Sequence, residues 1–463
     1  MNMKRHSFYC AFLKFLVVLV IIVAPVAGQS KKDKDQAKKL QDQADKAIGA
    51  KNYKEAADLY GQSVVLVPNN AYAHYRKGFA HFSLKENDQA ISEFTLALNQ
   101  GFKPLEIYRI RYHLYFEQNN YDAALGDIEK GLLLAPNDLN FLSAIGEINY
   151  ARKSYPAALA AFQKASQVAP NNADIQYHLA RVNSALGDSK AQAAAAESAL
   201  AKGTRFPGDA FYLLGEANQK LKNTAGAIDA YQKALNVKPS LYQAYHNLAE
   251  LFRSENRFND AISISKQGLV QFPNDGTFYS ELGLYYSLAG RPEDAVQASK
   301  AGVQLSPNQP VGYTNLCRAY NETGNYDLAV SACNSSLRLR PDDGETNFYL
   351  GNALVGQGKG VEATRAYINA VRGLVEFTGK NPNQSDGWYL LGNAYFADKQ
   401  FDKAIDAYLK CLSISPKFLK ARVNLGISYT RKKNKAAATE QYNLLMAADA
   451  GLAARVKAEI DKM

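Results

Sequence analysis

An all-α fold of stacked antiparallel helix pairs is what the sequence predicts, and three periodic observations predict it. Alanine returns every 34 residues at Ala56, Ala90, Ala124 and Ala158, then at Ala227, Ala261, Ala295, Ala329 and Ala363, and again at Ala404 and Ala438. With that alanine numbered 20, position 8 is small: Ala44, Gly78, Gly146, Ala180, Gly215, Ala249, Gly283, Gly351, Gly392 and Gly426. Proline recurs at position 32, as in Pro68, Pro136, Pro170, Pro239, Pro273, Pro307, Pro341 and Pro416. A fixed period of this length marks an array whose units bury their apolar faces only against a neighbour.

Each periodic position has a physical task. Positions 8 and 20 face each other across the hairpin, where residues without bulk let two helix backbones approach. Bulk moves to position 4 (Tyr108, Leu142, Phe211, Tyr245, Tyr279, Tyr313, Trp388) and to position 24 (Tyr60, Phe94, Phe162, Tyr231, Tyr367, Tyr408, Tyr442). Proline at 32 cannot continue the second helix, so the next unit starts there.

This pattern resembles the tetratricopeptide repeat, and the unit Trp388, Leu391, Gly392, Tyr395, Ala404, Tyr408, Pro416 matches it best. Twelve units are counted over residues 37–452, followed by a C-terminal capping helix at 453–463. The resemblance implies a right-handed α-solenoid superhelix with a concave groove lined by the first helix of each pair. Such grooves bind peptides or proteins. One elongated domain is expected in place of several globular ones.

Three stretches depart from the pattern. Around 105–136, Tyr112 stands where a small residue belongs, which predicts a spread or shifted helix pair. Around 190–208, the run Ala191–Ala196, broken by Gln192, leaves the register ambiguous by one residue and predicts a change of superhelical pitch. Seven extra residues within 374–384 predict two added helical turns or a protruding corner.

The first 28 residues carry Lys4 and Arg5, an apolar run from Phe15 to Ala24, and then Pro25, Ala27 and Gly28. This is the layout of a secretory signal peptide, with an uncleaved N-terminal membrane anchor as the alternative. An exported location, periplasmic or extracellular, is therefore expected. Residues 29–36, where Lys and Asp alternate, read as a flexible leader. Nucleic acid is not an expected partner. Removing residues 1–28 lowers the formal net charge of +10 by three, and the remaining excess is densest at Lys417, Lys420, Arg431, Lys432, Lys433 and Lys435. That stretch is a candidate patch for an anionic membrane or polysaccharide surface, set against the simpler reading of a solvated helix turn. Cys317, Cys333 and Cys411 fall at positions 8, 24 and 27. With position 24 placed opposite position 4, Cys317 and Cys333 lie too far apart to bridge, and three buried free thiols are expected.

No constellation for catalysis, cofactor or metal binding emerges. The histidines lack metal-ligand spacing, Gly351, Gly356, Gly358 and Gly360 fit a bend better than a phosphate loop, and twelve units leave no room for a catalytic domain. Function is then sought at positions 2, 5, 6, 9 and 12 of the first helices, which face the groove in the family. Aromatic residues line its N-terminal part: Tyr72, Tyr75, Phe79, Phe82, Phe116, Tyr150 and Tyr177, although some of them can simply pack between units. Arg109, His113 and Arg181 are candidate polar selectors, and Asn247, Asn315 and Asn424 at position 6, with Asn352 and Asn393 at position 9, are candidate clamps for a peptide backbone. Ala144 stands where relatives that hold chaperone tails have asparagine, which disfavours that role. The expectation is a non-enzymatic, exported scaffold for protein or peptide partners, plausibly in envelope assembly or secretion, with homo-oligomers admitted. The alternatives are an adaptor for anionic polysaccharide or lipid in cell-surface polymer export, and a non-catalytic subunit of a transferase complex.

Overall fold

The computed structural model describes residues 30–463, so segment 1–28, read as a signal peptide from the sequence, lies outside the described residues. Where one continuous array was expected, the chain divides into two compact units, one ending at Asn171 and the other spanning Asn172–Met463. The boundary falls where the irregular fifth repeat begins.

In the first unit α1 (Lys31–Gly49) pairs with α2 (Tyr53–Leu66), and α3 (Ala71–Ser83) with α4 (Asn87–Asn99). Then α5 (Pro104–Glu117) pairs with α6 (Tyr121–Leu134), and α7 (Leu139–Ala151) with α8 (Tyr155–Val168). The second unit continues with α9 (Ala173–Leu186) and α10 (Ser189–Ala201), α11 (Pro207–Lys220) and α12 (Thr224–Val237), and α13 (Tyr242–Ser254) and α14 (Phe258–Gln271). Next come α15 (Gly276–Leu288) and α16 (Pro292–Leu305), α17 (Pro310–Glu322) and α18 (Tyr326–Leu339), and α19 (Gly344–Gly356) and α20 (Gly360–Lys380). The last pairs are α21 (Ser385–Ala397) with α22 (Phe401–Ile414) and α23 (Leu419–Arg431) with α24 (Lys435–Met446), closed by α25 (Ala450–Ile460). Among the described residues all regular structure is helical.

The hairpin turn is made by one left-handed residue per repeat, always at position 15. It is lysine at 51, 85, 153, 222, 399 and 433, asparagine at 119 and 256, and glycine at 187, 290, 324 and 358, with φ between 57° and 78°. Gly358 is thus the bend that its glycine-rich surroundings suggested. The corners between repeats start the next helix by capping: Asn70, Asp138, Asn172 and Asp275 each accept from backbone N–H groups of the following first turn.

The periodic alanines are essentially fully buried, and in the pairs of Gly78, Gly146, Gly215, Gly351 and Gly392 the ring at position 24 lies directly on position 8. A Cβ added to Gly392 would stand 2.4 Å from Tyr408 Cε1, and one added to Gly146 would stand 2.5 Å from Phe162 Cζ. Burying Phe162 completely contributes about 1.5–3 kcal/mol, and glycine is what permits that burial. The same contact corrects the cysteine expectation. Position 24 meets position 8 and not a site one turn away, so Cys317 and Cys333 stand 5.3 Å apart at Cα and are joined in a disulfide, leaving Cys411 as a buried free thiol.

The irregular stretches have local solutions. In the third repeat the bulk has changed sides: buried Tyr112 at position 8 faces Ile128 at position 24, where seven of the other repeats carry a ring. The pair is held by Arg111, whose Nε and Nη2 each donate to Asp127 at 2.9 Å, with Nη1 reaching Thr95 Oγ1 at 3.1 Å. In the fifth repeat Gln192 takes the place of the alanine. It is fully buried, and its amide donates to the Leu213 carbonyl at 2.9 Å and to Glu216 at 2.8 Å, which settles the register. The extra residues after Leu374 extend α20 to 21 residues where neighbouring second helices have 14, so the insertion is added helix up to Lys380.

Two terminal expectations are corrected. Residues 31–36 of the expected leader are the start of α1: Ser30 and Asp33 form a reciprocal capping box, and Ala37 and Leu40 are already buried. The capping helix begins at Ala450 and covers the last pair with Ala453, Val456 and Ile460 against Val423, Ala438 and Leu445.

Four outcomes test this packing. Gly392→Ala should destabilise the second unit by about 1–3 kcal/mol through overpacking against Tyr408, read by denaturant midpoint. Gly379→Ala on α20, where an added Cβ meets nothing, should stabilise by roughly 0.5–1 kcal/mol. The oxidised chain should be about 2 Da lighter than its all-thiol form and should expose one alkylatable thiol from 30–463 on denaturation, not three. Asp127→Ala should cost about 3–5 kcal/mol by stranding the buried Arg111, whereas Arg111→Met with Asp127→Leu should recover most of that loss.

Candidate functional site

The face carried by the first helices of the first unit is aromatic but largely engaged. Asp45 on α1 accepts from Tyr60 Oη at 2.6 Å, from Tyr72 Oη at 2.9 Å and from Arg76 Nη2 at 2.6 Å. Tyr72 and Tyr75 pack on Phe102 with centroids 6.2 and 5.3 Å away, and Tyr75 Oη donates to Glu106 at 3.1 Å. Phe79 is half-buried against the Ala90 and Phe94 cluster. These rings are therefore partly mortar between repeats, with only their edges toward solvent. Arg109 and His113 lie one turn apart on α5. Arg109 donates Nε to Asp138 at 3.0 Å, the same carboxylate that caps α7, and keeps 44% of its side chain exposed. His113 is exposed, lies against the Tyr112 ring at 4.0 Å, and has its pKa lowered by desolvation.

In the second unit Tyr177 stacks on Phe206 at 4.7 Å, and Arg181 lies over the Tyr177 ring with Nη1 3.1 Å from His178 Nδ1. The asparagines do not form an open ladder. Asn315 is buried and donates to the Ser280 carbonyl at 2.9 Å, so it joins two repeats and is no clamp. Asn247 donates to Tyr231 Oη at 3.3 Å. Asn352 and Asn393 accept from the hydroxyls of Tyr367 and Tyr408 at 2.9 and 2.8 Å, and Asn424 donates to Asn393 at 2.8 Å. The cause is the seam itself: a tyrosine at position 24 crosses position 8 and delivers its hydroxyl beside position 9.

What the asparagine pattern overlooked is a set of charges on the same face. Arg318 on α17 donates Nε to Tyr349 Oη and Nη2 to Glu345 at 3.1 Å, with its guanidinium carbon 4.7 Å from the Tyr349 ring centroid. Its side chain is only 12% exposed. Desolvation raises the pKa of Glu345 and of Tyr349, and it lowers that of Lys420, with Arg318 adding to the effect on the lysine. Arg318, Asn321, Glu322, Tyr326, Tyr349 and Asn352 wall a cavity of about 350 Å³. Four repeats of sequence away from Asp386, Arg253 holds Glu250 through Nε and Nη2 at 2.8 and 2.6 Å and reaches Asp386 at 2.8 Å. Arg318, Glu345, Tyr349, Asp386 and Arg253 occupy positions 9, 2, 6, 2 and 12, so the repeat numbering alone places them on this face.

The basic stretch near the end is not one patch. Arg431 pairs with Glu459 at 2.9 Å, Lys432 with Asp402 at 2.8 Å, and Lys420 lies near Arg318 and Glu322. Lys417, Lys433 and Lys435 are exposed at two different corners. A larger cleft of about 880 Å³ lies between α2 and α4 on the second-helix face, where Lys77 and His74 both pair with Glu93. Among the described residues no group of three or more His, Cys, Asp or Glu side chains is placed to hold a metal, and no helix is long and apolar enough to cross a membrane.

Family models for the tetratricopeptide repeat match residues 35–104, 113–174, 209–239, 312–343 and 385–418. Similar solved structures include yeast Tom70, at 13% identity and TM-score 0.38 over 92% of this chain and 95% of that one. The C-terminal part of a TPR repeat-containing protein from Cytophaga hutchinsonii aligns at 17% identity and TM-score 0.39, over 60% of this chain and 98% of that one. MamA aligns at 22% identity and TM-score 0.33, over 37% of this chain and 94% of that one. No curated protein matches the sequence significantly. Matched in both units and built from helix pairs on a 34-residue period, the chain belongs to the tetratricopeptide-repeat proteins.

Proposed function

We propose that this chain is a non-enzymatic, exported scaffold that holds protein or peptide partners on the first-helix faces of its two units. Membership of a repeat family built for protein interaction supports the coarse reading. The observation that carries the finer one is the chemistry of those faces. The first unit offers aromatic edges at Tyr72, Tyr75 and Phe79 beside the exposed Arg109 and His113. The second offers a polar-walled cavity between Arg318, Tyr349 and Asn352. Aromatic and arginine side chains in partly desolvated settings are the residues that anchor protein interfaces. The Cys317–Cys333 disulfide favours an oxidising compartment and so supports export, as the layout of residues 1–28 does. Arg431 and Lys432 are engaged in ion pairs, and the exposed Lys417 stands at a different corner from Lys433 and Lys435, which weighs against one continuous patch for an anionic polymer.

Cross-linked capture in native cells tests the reading. Tyr75→Ala with His113→Glu in the first unit, and Asn352→Ala with Arg318→Gln in the second, should each reduce recovered partners at least fivefold. Lys433→Glu, at an exposed hairpin corner, should leave recovery unchanged. Equal recovery from all of these at matched helical content and thermal midpoint would remove the first-helix faces as the binding surface.

A further inference from the structure

One contact in the second unit differs in kind from the rest. Packing in the array joins a helix to its pair and to the next repeat, but Arg253 on α13 and Asp386 on α21 are 133 residues apart and meet at 2.8 Å. Three first helices, α15, α17 and α19, intervene in the chain between them. Arg253 is aimed by its own helix: Glu250 accepts from Nε and Nη2, and Nη2 also donates onward to Asp386. Asp386 is placed by the two extra turns of α20, since the lengthened helix and the corner 381–384 lead straight into the first turn of α21. The insertion, otherwise without a task, delivers one half of the bridge.

We propose that Arg253–Asp386 is a latch that draws α13 and α21 together across the first-helix face of the second unit, and that opening it widens this face to admit a chain. Two physical features suit the pair to that role. The side chains keep 21% and 44% of their surface exposed, so water and salt weaken their attraction and the bridge can open without dismantling the core. The cohesion of the repeats comes from elsewhere, from the buried rings and aliphatic side chains that run from Tyr231 through Phe278 to Cys333. A second carboxylate, Glu345, pairs with Arg318 on the same face and lies within electrostatic reach of Asp386. Closed and open forms then differ by one ion pair and small sliding of packed helices, a known kind of shear switch.

The experiment uses the full chain with Cys10→Ser, the native free thiol Cys411 being buried. Spin labels at Glu255→Cys and Gln384→Cys, both exposed and each two residues from a latch partner, report the separation of α13 and α21 by pulsed electron-electron resonance. At 50 mM NaCl a single short distance is expected. Raising the unmutated latch to 1 M NaCl, or introducing Asp386→Asn or Arg253→Gln, should increase a longer-distance population at least threefold with helical content unchanged. A distribution that moves with neither salt nor substitution overturns the proposal. The salt arm needs no latch substitution, so a variant that misfolds does not obscure the answer. The proposal draws on the binding-face reading only for the use of the latch. The distance measurement needs no partner, so a failed latch leaves the capture result standing, and a failed capture leaves the latch intact.

Discussion

Everything in this molecule depends on how closely two helix backbones can approach at one seam. Position 8 must carry no bulk, because the side chain at position 24 lies across it, as Tyr408 lies on Gly392 and Phe162 on Gly146. Once that approach is made, the ring is sealed from water, the alanine at 20 finds its neighbour, and the hydroxyl of a seam tyrosine emerges where the first helix meets its exposed face. The asparagine contacts at 352 and 393 follow from that emergence. So does the disulfide, since cysteines at 8 and 24 are simply the two sides of the seam brought into bonding contact.

The seam also shows how a repeat tolerates exceptions. In the third repeat the sum of bulk across the seam is kept while its distribution is reversed, with Tyr112 facing Ile128. In the fifth, a buried glutamine replaces alanine because both of its amide N–H groups find acceptors on the next repeat. Each departure is paired with a compensating partner within the same or the next hairpin, which is the economy expected when units interact only with nearest neighbours.

The fold was legible in the sequence because its determinants are periodic. Alanine, glycine and proline at fixed intervals located the pairs, and the seven residues before Asn381 proved to be added turns of α20. The disulfide was misread because a one-dimensional count set position 24 against position 4, one turn from position 8, whereas the three-dimensional seam brings 24 onto 8. The leader was misread because alternating charge was taken for disorder, while the capping pair Ser30 and Asp33 and the buried Ala37 and Leu40 make a helix of it. The candidate site was legible only as a set of positions. Which residues at those positions stay available depends on partners elsewhere: Asn315 is consumed by the Ser280 carbonyl, whereas Arg318 beside it turns toward Tyr349. The cross-face contact of Arg253 with Asp386 could not be read at all, because it depends on curvature accumulated over four repeats.

The left-handed residue at position 15 has a consequence for the charge of the molecule. Its task is purely one of backbone shape, and the side chain projects from the turn without a packing role, so the position accepts whatever residue can bear a positive φ. Six of the twelve turns use lysine. Six cationic charges are therefore distributed one per turn along the hairpin edge, a large share beside a formal net charge of +10. Much of what makes this chain basic is thus an incidental product of turning a helix back on itself, and its isoelectric point can drift over generations without any change in how it stacks or what it holds.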